Sequence, residues 1–587
     1  MNAEPVDLKL PREDMPTRGQ ALLFALKAWR LRLRRLWRDA IGIPPRRLPR
    51  ARISPDGRVL VKSRTALFTS MRSEEFALQM GKVQNLRVAA RRLDGAVLRE
   101  GEVFGFWAHI GRPTRSHGFA DGRELREGCV IPSVGGGLCQ LSNALYDVAL
   151  RAGCEIVERH AHSRRLPGSM AVAGRDATVF WNYIDLRFRA PSALQLVVRV
   201  EERDLVVRLH AVNAAAVAPR VVTIPESNGD VQPEAAESCE SCGVTNCFRN
   251  PSATALASEG FTAWLVDAFV PEFEAWIGKH RHARDWLFTP LDSRRFRVGA
   301  YHWNTAGFAA IREARAAVLR RSWISRRLAA QGAERQRALL ALDATLAEAF
   351  ARRLPPFATH LVVSQNLLPH LWARGELGGR TFDVLMTRLP LAELERVLDR
   401  AAAQHPGSTT LADFRAPREV VAMETAALAA AHHWITPHSA IAQLAGARAV
   451  SLDWQLPSVG RAGRGKWIVF PASTLGRKGA WELRSVAREL DLPVRLCGPV
   501  LEGVDFWSGV RTERADDSWL AGACAVVLPA WVEHQPRRLL QAVAAGVPVI
   551  ASDACGLAGV AGVTTVGTGD VEGLRMALAE EAALSVV

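Results

Sequence analysis

The sequence predicts a multidomain protein: an α+β domain first, then an α/β doubly wound region of two lobes. Three observations carry this. A glycine-rich turn runs into an amphipathic helix in PSVGGGLCQLSNALYDVALRAG (132–153). Strand-like alternation rich in β-branched residues follows in ALQLVVRVEERDLVVRLHAV (193–212). From about residue 256 onward, helical patterns alternate with short apolar runs, the pattern of parallel sheets with crossover helices. With 587 residues, 48% of them hydrophobic, the chain has enough core for about three or four domains.

The formal charge of +15 does not point to nucleic acid. The arginines are scattered through helices as well as surface-like runs, only 3 tyrosines are present, and no DNA- or RNA-binding motif is visible. The first residues are acidic and contain proline, with no apolar core leading to a cleavage site, so no secretory signal is expected. No run is long and apolar enough to span a bilayer. Nine cysteines without such a signal imply a reducing compartment. The expected location is cytoplasmic.

Residues 1–49 carry a basic amphipathic helix at 18–42, followed by a proline linker at Pro44, Pro45 and Pro49. Leu22, Leu26, Trp29, Leu33, Leu36 and Trp37 share one stripe, and Lys27, Arg30, Arg34, Arg35 and Arg38 surround it. Such a helix suits the inner face of an anionic membrane. Equally, it suits packing on the protein's own body, with arginine stems covering apolar surface.

Residues 50–225 form the α+β domain. Its Cys139 stands at or near a helix start, where unpaired N–H groups and the helix dipole favour a thiolate. The adjacent glycines let backbone approach closely. His162 and Asp176 follow in the order of a thiol triad, His toward the sulfur and Asp fixing its tautomer. His160 and Asp185 compete for these places. The alternative is a buried, inert cysteine in a turn. In this stretch QNLRVAARRLDGAVL, REGEVFGFWAHIGRPT, VGGGLCQLSNALYDVAL, ERHAHS, GRDATV and DLRF recur in the order seen in the VanW-like family. The domain resembles that family, which implies a link to the cell envelope and leaves the chemistry open.

Residues 226–255 are a polar linker containing ESCESCGVTNCFRN. The spacing of Cys239, Cys242 and Cys247 suggests a soft-metal site for zinc or an iron–sulfur cluster, with a fourth ligand from elsewhere. Thiols without metal, or a redox pair, are the alternative.

Residues 256–464 and 465–587 are the two lobes. THLVVSQNLLPHLW is a strand followed by a loop with Asn366 and His370. In the second lobe WIVFPAS, LPVRLCGP, CAVVLPAW and VPVIAS are strands, and Lys478 and Glu533 lie in the loops that follow two of them. GRKG, LPAWVEHQPRRLLQAVAAGVPVIAS and ACGL resemble the carboxyl-terminal lobe of retaining GT-B glycosyltransferases. The resemblance implies a nucleotide-sugar donor with Lys478 on its diphosphate, and Glu533 and Gln541 on its sugar and ribose. Gln541 stands where that family has a second glutamate, and Arg477 adjoins the lysine instead of preceding it at a distance. Lys478 as a solvated loop lysine and Glu533 as a helix-terminal carboxylate are the plain alternatives. The expectation is a glycosyltransferase acting on an envelope-related acceptor. The runner-up is a thiol hydrolase or acyltransferase at Cys139 beside a non-catalytic donor-binding half.

Overall fold

The computed structural model describes the chain outside residues 1–17, 42–43, 52–57, 69–74, 127–128, 163–175, 213–258, 293–300, 329–331, 414 and 585–587. The cysteine cluster lies outside the described residues. The chain divides into two compact units, the first reaching Phe261 and including 355–359 and 374–380, the second holding the remainder.

In the first unit, the alternation at 193–212 becomes two antiparallel strands, Leu194–Glu201 and Asp204–Ala211, joined by a two-residue turn. Val59–Ala66 pairs with the second strand and Val97–Leu98 with the first, giving a four-stranded sheet. Two helices pack on this sheet: Phe76–Leu93 and Leu138–Arg151. Leu141, Leu145, Val148 and Ala149, spaced for one helical face, are all fully buried. Removing the bulk of Leu145 would cost about 2–5 kcal/mol. Gly153 ends the second helix at φ +72°, a conformation that favours glycine. A smaller sheet joins Val103–Gly105, Arg187–Arg189 and Glu155–Glu158.

The second unit holds two sheets whose neighbouring strands run parallel. Numbered along the chain, the seven strands of the first sheet lie in the order 3-2-1-4-5-6-7, and the six of the second in the order 3-2-1-4-5-6. Each reverses direction between its first and fourth strands. At that switch point the carboxyl ends of the strands open a crevice, the place where nucleotides bind in such sheets. In the first sheet these strands are Phe261–Leu265 and Ala358–Ser364; in the second they are Arg464–Phe470 and Ala523–Leu528. The all-apolar runs of the central strands follow from burial on both faces. Among the described residues no helix is long and apolar enough to cross a membrane.

Helix Arg18–Ile41 belongs to the first unit and rests on it by one side only. Arg35 is 2% exposed and pairs with Glu158 at 2.8 Å, Asp39 at 3.1 Å and Asp185 at 3.2 Å. Arg35 is therefore an anchor to the protein's own body, not one of the free cations flanking the apolar stripe.

Candidate functional site

The thiol site is built by a tight backbone crossing. Gly135 and Gly137 take φ values of +86° and +90°. A Cβ on Gly136 would meet the Gly122 carbonyl group at 2.5 Å, so only glycine fits the approach. The fully buried Asn85 clamps this turn, donating to the carbonyls of Gly136 (2.9 Å) and Ala120 (3.0 Å) and accepting from the Ala120 N–H (2.8 Å). Cys139 then falls in the first turn of the helix Leu138–Arg151, partly exposed.

The same helix holds the segment that follows residue 175. Ser142 donates to the Ala177 carbonyl at 2.5 Å, and the Asn143 side chain accepts from the Ala177 N–H at 2.7 Å. That fixes Asp176, wholly buried, beside His162. The Asp176 carboxylate accepts from His162 Nδ1 at 3.1 Å, from the His162 N–H at 2.7 Å and from Arg159 Nη2 at 2.9 Å. The other imidazole nitrogen is left for Cys139, the neighbour that affects His162 most. Thr178 Oγ1 lies 3.7 Å from the sulfur.

The electrostatics follow from this contact. Burial pushes the Cys139 thiol up, but the hydrogen bond and charge of His162, helped by the Val179 N–H and the Thr178 hydroxyl, outweigh it. The thiol sits below its ordinary value. His162 sits above its own: the Cys139 hydrogen bond raises it most, burial opposes, and Asp176 adds to the rise. Cys154, just beyond the same helix, has no such partner, and burial alone drives its thiol up to about 12.

The competing residues are occupied elsewhere. Asp185 accepts from the Trp107 N–H, Arg35 and Arg187. His160 is half exposed and faces Glu158 at 3.4 Å. Sequence reading missed Arg159, Thr178, Ser142 and Asn143. The last two sit on the helix face marked by Cys139, which is the one signal that could have found them.

The second site lies at the switch point of the six-stranded sheet. Lys478, in the turn after the first strand, donates to Glu533 at 2.7 Å and to the Val532 carbonyl at 3.1 Å. Glu533 lies in the loop after the fourth strand. The two side chains are 14% and 15% exposed, so Lys478 is not a solvated loop lysine. Burial lowers Lys478 despite its partner; burial would raise Glu533, but the Lys478 charge holds that carboxyl below its usual range. The helix that follows begins at Arg537, four positions on, so Glu533 is not in its first turn. Gln541 lies on that helix, partly buried.

Around the pair are groups that the sequence did not flag. His438 Nε2–H donates to the Glu533 carbonyl at 2.9 Å, and burial lowers its pKa. His534 is kept neutral by burial, and its Nε2 is buried without a hydrogen-bond partner. Arg537 makes a two-pronged ion pair, 2.7 Å on each arm, with Glu272 at the start of helix Pro271–His280 in the other lobe. A narrow cleft of about 230 Å³, open mouth included, is lined by Phe273, Thr387, His438, Trp454, His534 and Arg537. In the seven-stranded sheet the equivalent switch point holds Asp267 and Asn366, bonded at 2.9 Å, with Arg388 Nε donating to Asn366 at 3.3 Å. His370, on the next short helix, is pushed down to about 4 by burial and by Arg388.

Residues 81–210 match the family model described as VanW like protein, and residues 476–582 match Glycosyl transferases group 1. The chain thus joins a region similar to VanW proteins to a region similar to group 1 glycosyl transferases. The VanW-like part is 34% identical over 117 residues to the Bacillus subtilis protein YoaR, covering 20% of this chain and 38% of that one. It is 32% identical over 134 residues to the vancomycin B-type resistance protein VanW of Enterococcus faecalis, covering 22% of this chain and 49% of that one. The chain thus spans less than half the length of either curated relative.

Among solved structures, sucrose-phosphate synthase from Thermosynechococcus elongatus is 14% identical, with 56% of this chain and 91% of that chain covered and a TM-score of 0.36. Anabaena HepE in complex with UDP and glucose is 12% identical, with 56% and 95% covered and a TM-score of 0.33. The two-lobe, GT-B-like architecture rests on the strand orders given above. Among the described residues, no cluster of three or more His, Cys, Asp or Glu is arranged to hold a metal ion.

Proposed function

We propose that this protein moves a sugar from a nucleotide-sugar donor to an envelope-related acceptor, working in the cytoplasm at the inner face of the membrane. The observation that supports this most is the Lys478–Glu533 pair at the carboxyl ends of two strands flanking a switch point. In this reading Lys478 releases Glu533 and holds the donor's diphosphate, stabilising the charge that develops on the leaving group. Glu533 takes sugar hydroxyls and Gln541 the ribose. The acceptor hydroxyl approaches from the other lobe, past Asn366 and His370. The cleft encloses only about 10 Å³, far below the ~300–1,000 Å³ typical of ligand pockets, so donor entry requires the two lobes to part.

The test is a thermal-shift panel of nucleoside diphosphates and their sugars on the wild type and Lys478→Ala. Ligand at about 100 times its Kd stabilises by roughly 2.7 kcal/mol. A shift with one nucleotide, lost in the variant, supports the reading; no shift with any nucleotide overturns it.

A second reading is favoured by Cys139 beside the hydrogen-bonded pair His162 and Asp176. Here the first domain is a thiol hydrolase or acyltransferase, and the second half binds donor without turnover. His162 takes the thiol proton; the thiolate attacks a carbonyl carbon, and the tetrahedral adduct expels its leaving group, which receives that proton. Water or an amine then cleaves the thioester and restores the thiol. Cys239, Cys242 and Cys247 are proposed to hold zinc or an iron–sulfur cluster, which elemental analysis of the purified chain would detect.

A further inference from the structure

We propose that helix Arg18–Ile41 is a preformed anchor that lies flat on an anionic lipid surface and is held to the VanW-like unit by Arg35. This deepens the membrane part of the proposed function by naming the element, its face and the lipid charge; it does not depend on donor turnover. The sequence left two readings open, a membrane face or a helix packed on its own body. The structure separates them by face.

The packed side is small and ionic. Ala28 and Arg35 are its buried members, and Asp39 beside them pairs with Arg187 at 3.0 Å. Arg32 Nε donates to the Trp181 carbonyl at 3.2 Å. At about 100° per residue, the apolar stripe is centred well over a quarter turn from this side. Among the described residues nothing covers that stripe: Trp29 is 59% exposed, Trp37 67%, Leu22 65%, Leu26 55%, Leu33 45% and Leu36 56%. A folded protein does not ordinarily leave so large a contiguous apolar face in water.

Charge decides the occupant. Lys27, Arg30, Arg34 and Arg38 are exposed on one flank of the helix, between the stripe and the packed side, with Arg30 at the stripe's edge, and the helix's one acid, Asp39, is already tied to Arg35 and Arg187. A second copy of the helix would bring like charges together. Anionic headgroups would instead neutralise them, while the two tryptophans sit at the depth of the headgroups. Glu158, which binds Arg35, directly precedes Arg159, which holds Asp176. The anchor is thus tied to the strand that leads into the thiol site.

The experiment is flotation of the full chain with phosphatidylglycerol-containing vesicles and with pure phosphatidylcholine vesicles, in low and high salt. It compares wild type with a Trp29→Glu/Leu33→Glu double variant. Both positions are exposed, so folding is spared, and an unchanged melting temperature verifies it. Wild type is expected to float with anionic vesicles at least about tenfold better than with neutral ones, and the double variant to lose that binding. Wild type remaining at the bottom, or the variant floating as well as wild type, overturns the proposal. So does a wild-type dimer in solution that the double variant splits, since a second copy would then be the occupant. Nucleotide thermal shifts on the same variant report on donor binding independently.

Discussion

The two candidate sites of this chain solve the same problem, holding a reactive charge in a partly buried place, in opposite ways. At Cys139 the neighbouring groups favour the ionised form of the thiol. His162 lowers the thiol, Asp176 faces the imidazole, and Arg159 pairs with the aspartate. Every partner is already in position and the sulfur is partly exposed. At Lys478 the charge is quenched inside the site, because Glu533 occupies the ammonium at 2.7 Å and burial penalises both. On the proposed thiol reading, the first arrangement meets a neutral carbonyl compound. On the proposed glycosyltransferase reading, the second exchanges its internal partner for a ligand's phosphate. The comparison teaches that buried neighbours can either favour the ionised form of a side chain or neutralise it by pairing within the fold.

The largest break in this comparison is expected from Cys139→Ala. Hydrolysis of an activated ester or thioester probe should fall by about 10³-fold or more, with the melting temperature and nucleotide shifts unchanged. Retained hydrolysis would leave the thiol as mere packing.

Next comes Lys478→Ala. It strands the buried Glu533 charge and should cost about 3–5 kcal/mol in denaturant unfolding. Adding Glu533→Gln should recover most of that loss, which a double-mutant cycle reads directly. Because the folded Glu533 carboxyl lies below its ordinary value, its contribution is present above about pH 4.3 and lost as pH falls through the lower folded value. Glu533→Gln should therefore flatten the acid limb of stability against pH.

A smaller effect is expected from His162→Ala. Thiolate fraction rises as pH rises through the thiol pKa, which His162 holds below its ordinary value in the wild type. The midpoint of iodoacetamide labelling at Cys139 should move up to about 8.5 or higher in the variant. Cys154, pushed up to about 12, should stay unlabelled in both until the protein unfolds.

The smallest is Gln541→Glu. A carboxylate binds hydroxyls more strongly than an amide, by about 1 kcal/mol, so sugar transfer or donor hydrolysis should rise up to about tenfold. No change would place Gln541 away from the donor and weaken the glycosyltransferase reading in favour of a binding half.

Much of the site was legible where it depends on short-range pattern. The glycine run placed Cys139 at a helix start, and Lys478 and Glu533 were candidates because each follows an apolar strand, as the structure has them. Less legible were the choice of His162 over His160 and of Asp176 over Asp185. Both pairs have the right residue types, a few positions apart. What separates them is that Arg35, from a helix some 150 positions away in the chain, claims Asp185, while Asn143 and Ser142 fix the backbone next to Asp176.

By itself the sequence determined the periodicities: helix Leu138–Arg151, the hairpin of residues 194–211, the alternating strands and helices after 256, and the apolar stripe of residues 22–37. These are local, set by which face each residue must present. Only the tertiary structure decided the strand orders that create the two switch points, the 55-position pairing of Lys478 with Glu533, and which side of helix Arg18–Ile41 is buried. The reason is that partner choice is a long-range competition. A buried charge goes to whichever opposite charge the fold brings within about 3 Å, and that distance is not written in the spacing of residues along the chain.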